Sequence, residues 1–541
     1  MRKRSHLCWM IVVPTLAAIP AIAHAQTAPD PAPAAQAPTA PPPAPPPVAA
    51  PAAQPASPPL GGGSAVPATS PASPPPDPTR AAAVEFTSLR VMLQKGLITQ
   101  AEYDAALRDM GESTGVHAGD GATFVLGKFA TTVYGFVEGD AIYDSTQSLN
   151  EIAGNSQIAK GGTFGGDHDR MQFTLRNSRV GLRIKAPETS GIRASGQLEM
   201  DFLGTQLPFG GANPGTEGSN YNNAILRFRH MNFRVETPVV DVLVGQYWTL
   251  YGGSAQYLPA TVQIQGVPGE IFSRQMQVRV SKTVKTPDVT FEAAVAALRP
   301  PQRDSAIPAG QGGLRLAINK WTAPQTLNLT GTSIQPLSLS VTGDLRSFRL
   351  PEFAAAPKDT NSKLGGGVAV DAFIPVVPGT KETKGNSLAL NGEISSSRGA
   401  ADLYTGMVGG VGNPALPNPT NAAPAPVYNG LVDNGLAVYD AGGTLQLVQW
   451  TTALVGIQYY FPGSGSVFMS ANFSHSESSN SNNLGPAART RKSEDWYDVN
   501  LFWDATSAVR IAAEYAHFRD TYNDDQHATN ERVQLTGAFL F

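Results

Sequence analysis

Thiols and charged side chains are scarce in this chain. Cys8 is the only cysteine among 541 residues, and 15% of the residues are charged, compared with about 25% in typical soluble proteins. Because Cys8 lies within an N-terminal export signal, we expect the exported chain to contain no thiol. Disulfides, thiol catalysis and cysteine-bound metals are then excluded, and the composition suits an oxidising envelope compartment.

Long apolar runs are missing beyond the N-terminus. After residue 25 no stretch has the roughly 18 consecutive apolar residues that a transmembrane helix requires. A helical membrane protein is therefore excluded, whereas a membrane barrel is not, since its strands alternate apolar and polar residues. The net charge of -4 and the isoelectric point near 6.1 argue against nucleic acid as a partner.

Three segments precede the predicted strands. Residues 1–25 combine a basic start, an apolar run and Ala23-His24-Ala25, which predicts a signal peptide. Residues 26–79 are Pro/Ala-rich and predict a disordered periplasmic linker, with a peptidoglycan contact as the alternative. Residues 80–112 predict a short α-helical hairpin. Because so short a hairpin is marginal alone, it either packs on a partner copy or the barrel base, or it has no packing partner.

Alternating runs over residues 122–541 predict an all-β fold, a transmembrane antiparallel β-barrel. Short connections such as 186–191 alternate with long ones such as 203–222, and outer-membrane barrels have short periplasmic turns and long outer loops. We expect about 16 strands, with 14 or 18 as alternatives because the boundaries between Ile318 and Gly442 are poorly defined. The alternating last strand ends in Phe541, like the signal read by the outer-membrane barrel assembly machinery.

Two alternating runs between Arg170 and Phe202 have one apolar and one arginine-rich face. The side-chain parity changes within the first run, which predicts a β-bulge near Asn177 and Ser178. We expect the apolar face to contact lipid and the arginine-rich face to line a water-filled lumen.

Arginines recur at inward positions of consecutive predicted strands. Neighbouring strands lie about 4.8 Å apart, so the arginines form a ladder, and a guanidinium group binds a carboxylate through two parallel hydrogen bonds. The ladder predicts anion selectivity; the alternative is that it pairs with acids, including Glu138 and Asp140, and stiffens the wall. The predicted pore-lining residues are Arg176, Arg179, Arg183, Arg193, Arg227, Arg229, Arg234, Arg274, Arg279, Glu199 and Asp201, followed by Arg315 and Arg346.

The third long connection, Trp248 to Phe272, is polar with interspersed aromatic residues. It either folds into the lumen and narrows it, as the third loop of general porins does, or lies at the surface. Catalytic patterns are weak, because the few histidines stand without the Ser/His or Asp/His group that a barrel hydrolase needs. We predict no catalytic residue, no metal site and no cofactor.

Several segments resemble one family of membrane barrels. Leu243 to Trp248, Gly266 to Gln275 and Gln277 to Arg279, together with Arg229 to Phe233 and Arg176 to Gly181, are similar to segments of the DcaP-like trimeric outer-membrane porins. The resemblance spans residues 131–279 and implies a 16-stranded homotrimer for dicarboxylates or related small anions, with a helical extension in the periplasm. This chain differs in its longer Pro/Ala tail, its shorter hairpin and an insertion at 398–442.

Together these features predict a porin of the Gram-negative outer membrane. It would pass small organic anions by passive diffusion through an arginine-lined lumen, with outer-membrane lipid around the barrel. A phosphate-selective porin and a mainly structural barrel that tethers the envelope are the alternatives.

Overall fold

In a computed structural model, the chain forms a β-barrel. The structure describes residues 122–126, 129–153, 156–204, 224–263, 267–302, 305–327, 331–354, 357–407, 409–412, 432–433 and 435–541, with residues 92, 95–97 and 99. The predicted signal peptide, linker and most of the helical hairpin lie outside these residues. Within the hairpin region, Gly96 has φ 68° and the Leu97 amide donates to the Met92 carbonyl at 2.9 Å. None of the described helices is both long and apolar enough to cross a membrane.

The described elements are mostly strands. They are β1 (Ala122–Leu126), β2 (Phe129–Asp144), β3 (Arg170–Thr174), β4 (Arg179–Lys185), β5 (Arg193–Asp201), β6 (Arg227–Glu236), β7 (Asp241–Trp248), α1 (Ser254–Tyr257), β8 (Arg274–Lys285), β9 (Val289–Leu298), β10 (Ala309–Thr326), β11 (Thr332–Pro351), β12 (Thr360–Val377), β13 (Leu388–Arg398), β14 (Ala437–Tyr439), β15 (Leu445–Leu447), β16 (Gln449–Tyr460), β17 (Val467–Glu477), β18 (Arg491–Asp504), β19 (Val509–Tyr522) and β20 (His527–Leu540).

Sixteen antiparallel strand positions close the described barrel. Each strand from β4 to β13 pairs with the next, β13 pairs with β16, and the order continues to β20. The seam joins β20 to β2, and β3 and β4 together occupy the position on the other side of β2. β14 and β15 form a separate hairpin, and β1 pairs with the first residues of β2. The predicted fold class and strand number are confirmed.

The predicted β-bulge lies between β3 and β4. Thr174 is opposite Asp140, whereas Arg179 is opposite Phe136. Five residues on one strand therefore match four on the other, so one residue is extra. The extra residue reverses the side-chain parity, and the polar faces of β3 and β4 both point inward.

Connections of different length separate the two ends of the barrel. Those at one end, called the turn end, are short: 186–192, 237–240, 286–288, 327–331, 378–387, 461–466 and 505–508. The other end, called the loop end, holds the long connections 145–169, 202–226, 249–273, 399–448 and 478–490. Three further connections at the loop end, 299–308, 352–359 and 523–526, are short. The alternation of lengths is therefore less strict than predicted.

The outer surface of the barrel is apolar and the inner surface is polar. On β20, for example, Val533, Leu535 and Phe539 are exposed, whereas Arg532 and Gln534 are buried. So large a continuous apolar surface is unfavourable in water, but it suits contact with the hydrocarbon core of a bilayer. Others on the same outer surface are Phe228, Met231, Phe233, Leu339, Val341, Leu345, Leu501 and Trp503.

Candidate functional site: the barrel lumen

The connection between β7 and β8, here called L3 (249–273), folds into the lumen. Its residues Tyr251, Leu258, Ala260, Val262 and Ile271 are all buried. These residues pack against the inner face of the barrel wall and do not lie at its surface. For example, the Ser470 hydroxyl on β17 donates to the Ala260 carbonyl at 2.6 Å. The structure thus decides between the two predicted placements in favour of the lumen.

Side chains of the wall bind the backbone of L3. The Glu514 carboxylate on β19 accepts the amides of Val262 and Gln263, both at 2.9 Å. The Glu393 carboxylate on β13 accepts the Ile271 amide at 3.0 Å. Since these acceptors satisfy buried amides far apart along L3, they hold it against one side of the lumen. The other side, along β4 to β10, carries the arginines.

The long insertion between β13 and β16 holds L3 from the loop end. The Phe272 amide donates to the Leu403 carbonyl at 2.9 Å, and Gly269 and Thr405 are similarly joined at 2.7 Å. The hydroxyls of Tyr251 and Tyr404 lie 2.7 Å apart. The segment between β13 and β16 therefore fixes the position of L3.

Glu270 is the acid of L3 itself. Its Oε2 accepts the Val267 amide at 3.0 Å, and the residue is 3% exposed. Burial raises the pKa of Glu270 well above its usual value of 4.5, and the neighbouring Glu393 raises it further. The folded barrel therefore releases the Glu270 proton at a higher pH than the unfolded chain does.

We predict that Glu270→Gln reduces the loss of stability on raising the pH. Because the folded-state pKa is raised, Glu270 lowers the free energy of unfolding progressively as the pH rises above 4.5. Glutamine keeps an oxygen for the Val267 amide and has no proton to release. The measurement is urea unfolding of the refolded barrel from pH 4 to about pH 8. The exposed turn residue Glu188 supplies the control, Glu188→Gln, and an equal change in both variants would contradict the prediction.

A buried ion-pair cluster lies at the centre of the arginine wall. Arg227 holds the Asp201 carboxylate with two hydrogen bonds of 2.9 and 2.6 Å. Arg229 binds Glu199 at 2.8 Å and Asp201 at 2.9 Å, and Arg179 lies 3.6 Å from Glu199. These charges largely compensate one another. In this part of the ladder the arginines therefore pair with acids within the wall, which was the alternative to a role in anion selectivity.

A bulge in β6 explains why Arg229 and Arg234 both face inward. Glu199 is opposite His230 and Met200 is opposite Phe228, so Arg229 is the extra residue. The sequence analysis assigned both arginines inward without predicting this bulge.

Most of the other predicted arginines also have acidic partners. Arg176 pairs with Glu151 of the 145–169 connection. Arg193 lies 2.9 Å from Glu236, and Arg234 lies 3.8 Å from both Glu236 and Asp241. Further along the chain, Arg315 pairs with Glu292 at 3.2 Å, and Arg346 lies between Asp344 and Asp402.

Three predicted arginines have an aromatic neighbour and no acidic partner within 4 Å in the described part of the chain. Arg183 lies 4.0 Å from the ring centre of Tyr134. Arg274 lies 4.8 Å from the Trp248 ring, and Arg279 lies 5.8 Å from the Tyr247 ring. Stacking on a ring face holds a guanidinium group without neutralising it. The sequence analysis did not predict these aromatic contacts, because they join residues on different strands.

A cavity of about 610 Å³ lies between the arginine wall and L3. The L3 side includes Leu250 and Gln256. Of the predicted pore-lining residues, Arg183, Arg193, Arg234, Arg279 and Arg315 line this cavity. The remainder of the predicted set, Arg176, Arg179, Arg227, Arg229, Arg274, Arg346, Glu199 and Asp201, is absent from its described lining. Lys185 also lines the cavity. Its alternation with Arg179, Gly181 and Arg183 places it on the inward face of β4, although it was not among the predicted pore-lining residues.

The fold of this barrel is similar to that of a solved outer-membrane channel. The crystal structure of DcaP from Acinetobacter baumannii matches 78% of this chain and 100% of its own length, with a TM-score of 0.54 and 16% sequence identity. The chain therefore has a β-barrel fold similar to that of DcaP. At this identity the likeness to DcaP shows the fold alone. It agrees with the family and the outer-membrane location that the sequence predicted.

Two other solved barrels are more distant than DcaP. An anion-selective porin from Comamonas acidovorans is 10% identical over 76% of this chain and 100% of its own, with a TM-score of 0.44. OmpT of Vibrio cholerae, in a trimer form, is 10% identical over 76% of this chain and 99% of its own, with a TM-score of 0.42. No protein-family model and no curated protein sequence matches the chain.

Proposed function

We propose that this DcaP-like barrel is a porin that passes small organic anions by passive diffusion and catalyses no reaction. The carrying observation is the charge of the cavity beside L3. Its described lining includes six basic residues (Arg183, Lys185, Arg193, Arg234, Arg279 and Arg315) and three acidic residues (Glu236, Asp241 and Glu292).

The acids leave part of this positive charge uncompensated. Arg193 and Arg234 share Glu236 and Asp241, and Arg315 pairs with Glu292. Subtracting three acids from six bases leaves three positive charges. In a water-filled pore such an excess raises the local anion concentration and lowers that of cations.

The proposal extends to assembly and orientation. We propose a homotrimer in the Gram-negative outer membrane, with the turn end and the N-terminal segments in the periplasm. Cross-linking of the purified protein tests the trimer. The predicted barrel assembly machinery and peptidoglycan remain proposed partners, and pull-down of the 26–79 segment with peptidoglycan tests the latter.

We predict that the purified protein is anion-selective in planar bilayers. The experiment measures the reversal potential in a KCl gradient, whose sign reports whether chloride or potassium permeates more readily. Succinate and phosphate are then added separately as competitors of the chloride current. Stronger block by succinate supports organic anions, whereas stronger block by phosphate supports the phosphate-selective alternative.

A reversal potential of the opposite sign would contradict the proposal. Absence of any conductance from correctly folded protein would instead favour the structural, envelope-tethering barrel. Heat-modifiable migration on a gel verifies the folding of each preparation.

A further inference from the structure

Two lumenal cavities meet at Arg183. The first is the cavity of about 610 Å³ beside L3. The second, of about 940 Å³, opens among the connections 327–331, 378–387, 461–466 and 505–508 and is here called the mouth. Arg183 is the single residue common to the two described linings. Arg183 therefore borders both cavities.

The mouth is itself basic. Its described lining includes Arg179, Lys381, Lys384 and Arg510 in addition to Arg183. Arg510 is held by Asp504 through bonds of 2.6 and 3.1 Å, and Arg179 belongs to the buried cluster with Glu199. Arg183 differs from both, because no carboxylate lies within 4 Å of it in the described residues.

Tyr134 holds Arg183 in place without neutralising it. The guanidinium carbon lies 4.0 Å from the centre of the Tyr134 ring. The ring is fixed in turn, since its hydroxyl donates to Glu199 Oε2 at 3.0 Å and accepts from Gln197 Nε2 at 2.7 Å. A guanidinium group held face-on to a ring keeps its N–H donors, which lie in its own plane, available to an anion.

We propose that Arg183, held by Tyr134, is the selectivity residue at the junction of the inner cavity and the mouth. This inference rests on the proposed function and narrows it to one side chain. It separates Arg183 from the acid-paired arginines of the same wall, and from Arg274 and Arg279, which lack an acid within 4 Å in the described residues but are absent from the described lining of the mouth. Anions interact with Arg183 in transit, and its removal lowers their preference more than removal of a paired arginine does.

Arg193 provides the matched control. It also lines the inner cavity, and its loss changes the net charge by the same amount. Both residues are exposed, but Arg193 pairs with Glu236 at 2.9 Å, whereas Arg183 has no carboxylate within 4 Å in the described residues. If only the total charge of the lumen mattered, Arg183→Gln and Arg193→Gln would have equal effects.

The experiment compares ion selectivity of the full-length variants in the bilayer assay. We expect Arg183→Gln to lower the anion-to-cation permeability ratio about fivefold, the factor that one unit charge contributes at 4 Å in water. Arg193→Gln should remain close to the parent protein. Tyr134→Phe keeps the ring and should retain most of the preference, whereas Tyr134→Leu removes the stacking surface and should lose much of it.

Arg183→Lys is a second variant for the case in which Arg183→Gln fails to fold. It keeps the positive charge and replaces only the planar guanidinium group by an ammonium group. It should retain selectivity for chloride but bind succinate less well than the parent protein, measured as weaker block of the chloride current. Equal permeability ratios for Arg183→Gln and Arg193→Gln in an anion-selective parent would overturn the inference and leave the proposed function standing. A cation-selective parent protein would instead overturn the proposed function.

Discussion

Replacing Asp144 with alanine should destabilise the barrel by about 3–5 kcal/mol, the typical loss when one partner of a buried ion pair is removed. Asp144 and Arg532 face each other across the seam between β2 and β20. Both side chains are fully buried, and two hydrogen bonds of 2.8 and 2.9 Å join them. The variant leaves the Arg532 charge buried without its acid at the point where the barrel closes. Urea unfolding of refolded protein, followed by tryptophan fluorescence, measures the change.

The exposed pair of Arg193 and Glu236 tests whether burial causes this effect. Removing an exposed partner by Glu236→Ala should cost less than about 1 kcal/mol, because water screens both charges. Asn530 and Gln172 also donate to Asp144, at 2.9 and 3.3 Å. Because asparagine keeps one oxygen acceptor, the loss of stability after Asp144→Asn should lie between the losses after Asp144→Ala and Glu236→Ala. A loss after Asp144→Ala no larger than that after Glu236→Ala would show that the seam does not depend on the pair.

Replacing both Glu393 and Glu514 with leucine should release L3 from the wall. The buried amides of Ile271 and Gln263 would lose their side-chain acceptors, whereas the Val262 amide would keep Asn500 Oδ1 at 2.9 Å. Each unsatisfied buried group costs roughly 1–3 kcal/mol, so the total is about 2–6 kcal/mol. We expect single-channel currents that are larger and fluctuate between levels, because L3 no longer keeps one position in the lumen.

Glutamine at the same two positions provides the control. Glu393→Gln with Glu514→Gln retains an oxygen acceptor for each amide while removing the same charges. This variant should keep the steady conductance of the parent protein, whereas the leucine variant should not. If both double variants behave alike, charge and not the anchoring of L3 determines the current.

The strands of the barrel wall could be predicted from the local alternation of apolar and polar residues. Alternation with period two identifies each strand, and the change of parity near Asn177 required the bulge that the structure contains between β3 and β4. A strand exposes alternate residues to opposite faces wherever it lies, so this information is local. The bulge at Arg229 was not predicted. The residues on either side of it, Phe228 and His230, did not indicate that one residue of β6 is extra.

The lumen could be predicted only in part, for a different physical reason. Inward arginines were visible in the sequence, but their partners are on other strands or in loops. Glu151, for example, reaches Arg176 from a connection 25 residues earlier. Whether an arginine is neutralised, as Arg229 is, or stacked on a ring, as Arg183 is, depends on those distant partners.

The sequence by itself determined an alternating, membrane-spanning barrel of about 16 strands with a basic inner wall, because strand period and connection length are local properties. Only the tertiary structure decided that L3 lies in the lumen, held by Glu393, Glu514 and the insertion before β16. It also decided which arginines keep an uncompensated charge. Those outcomes depend on contacts across the closed barrel, because closure brings together groups that are far apart in the chain, such as the Val262 amide and the Glu514 carboxylate.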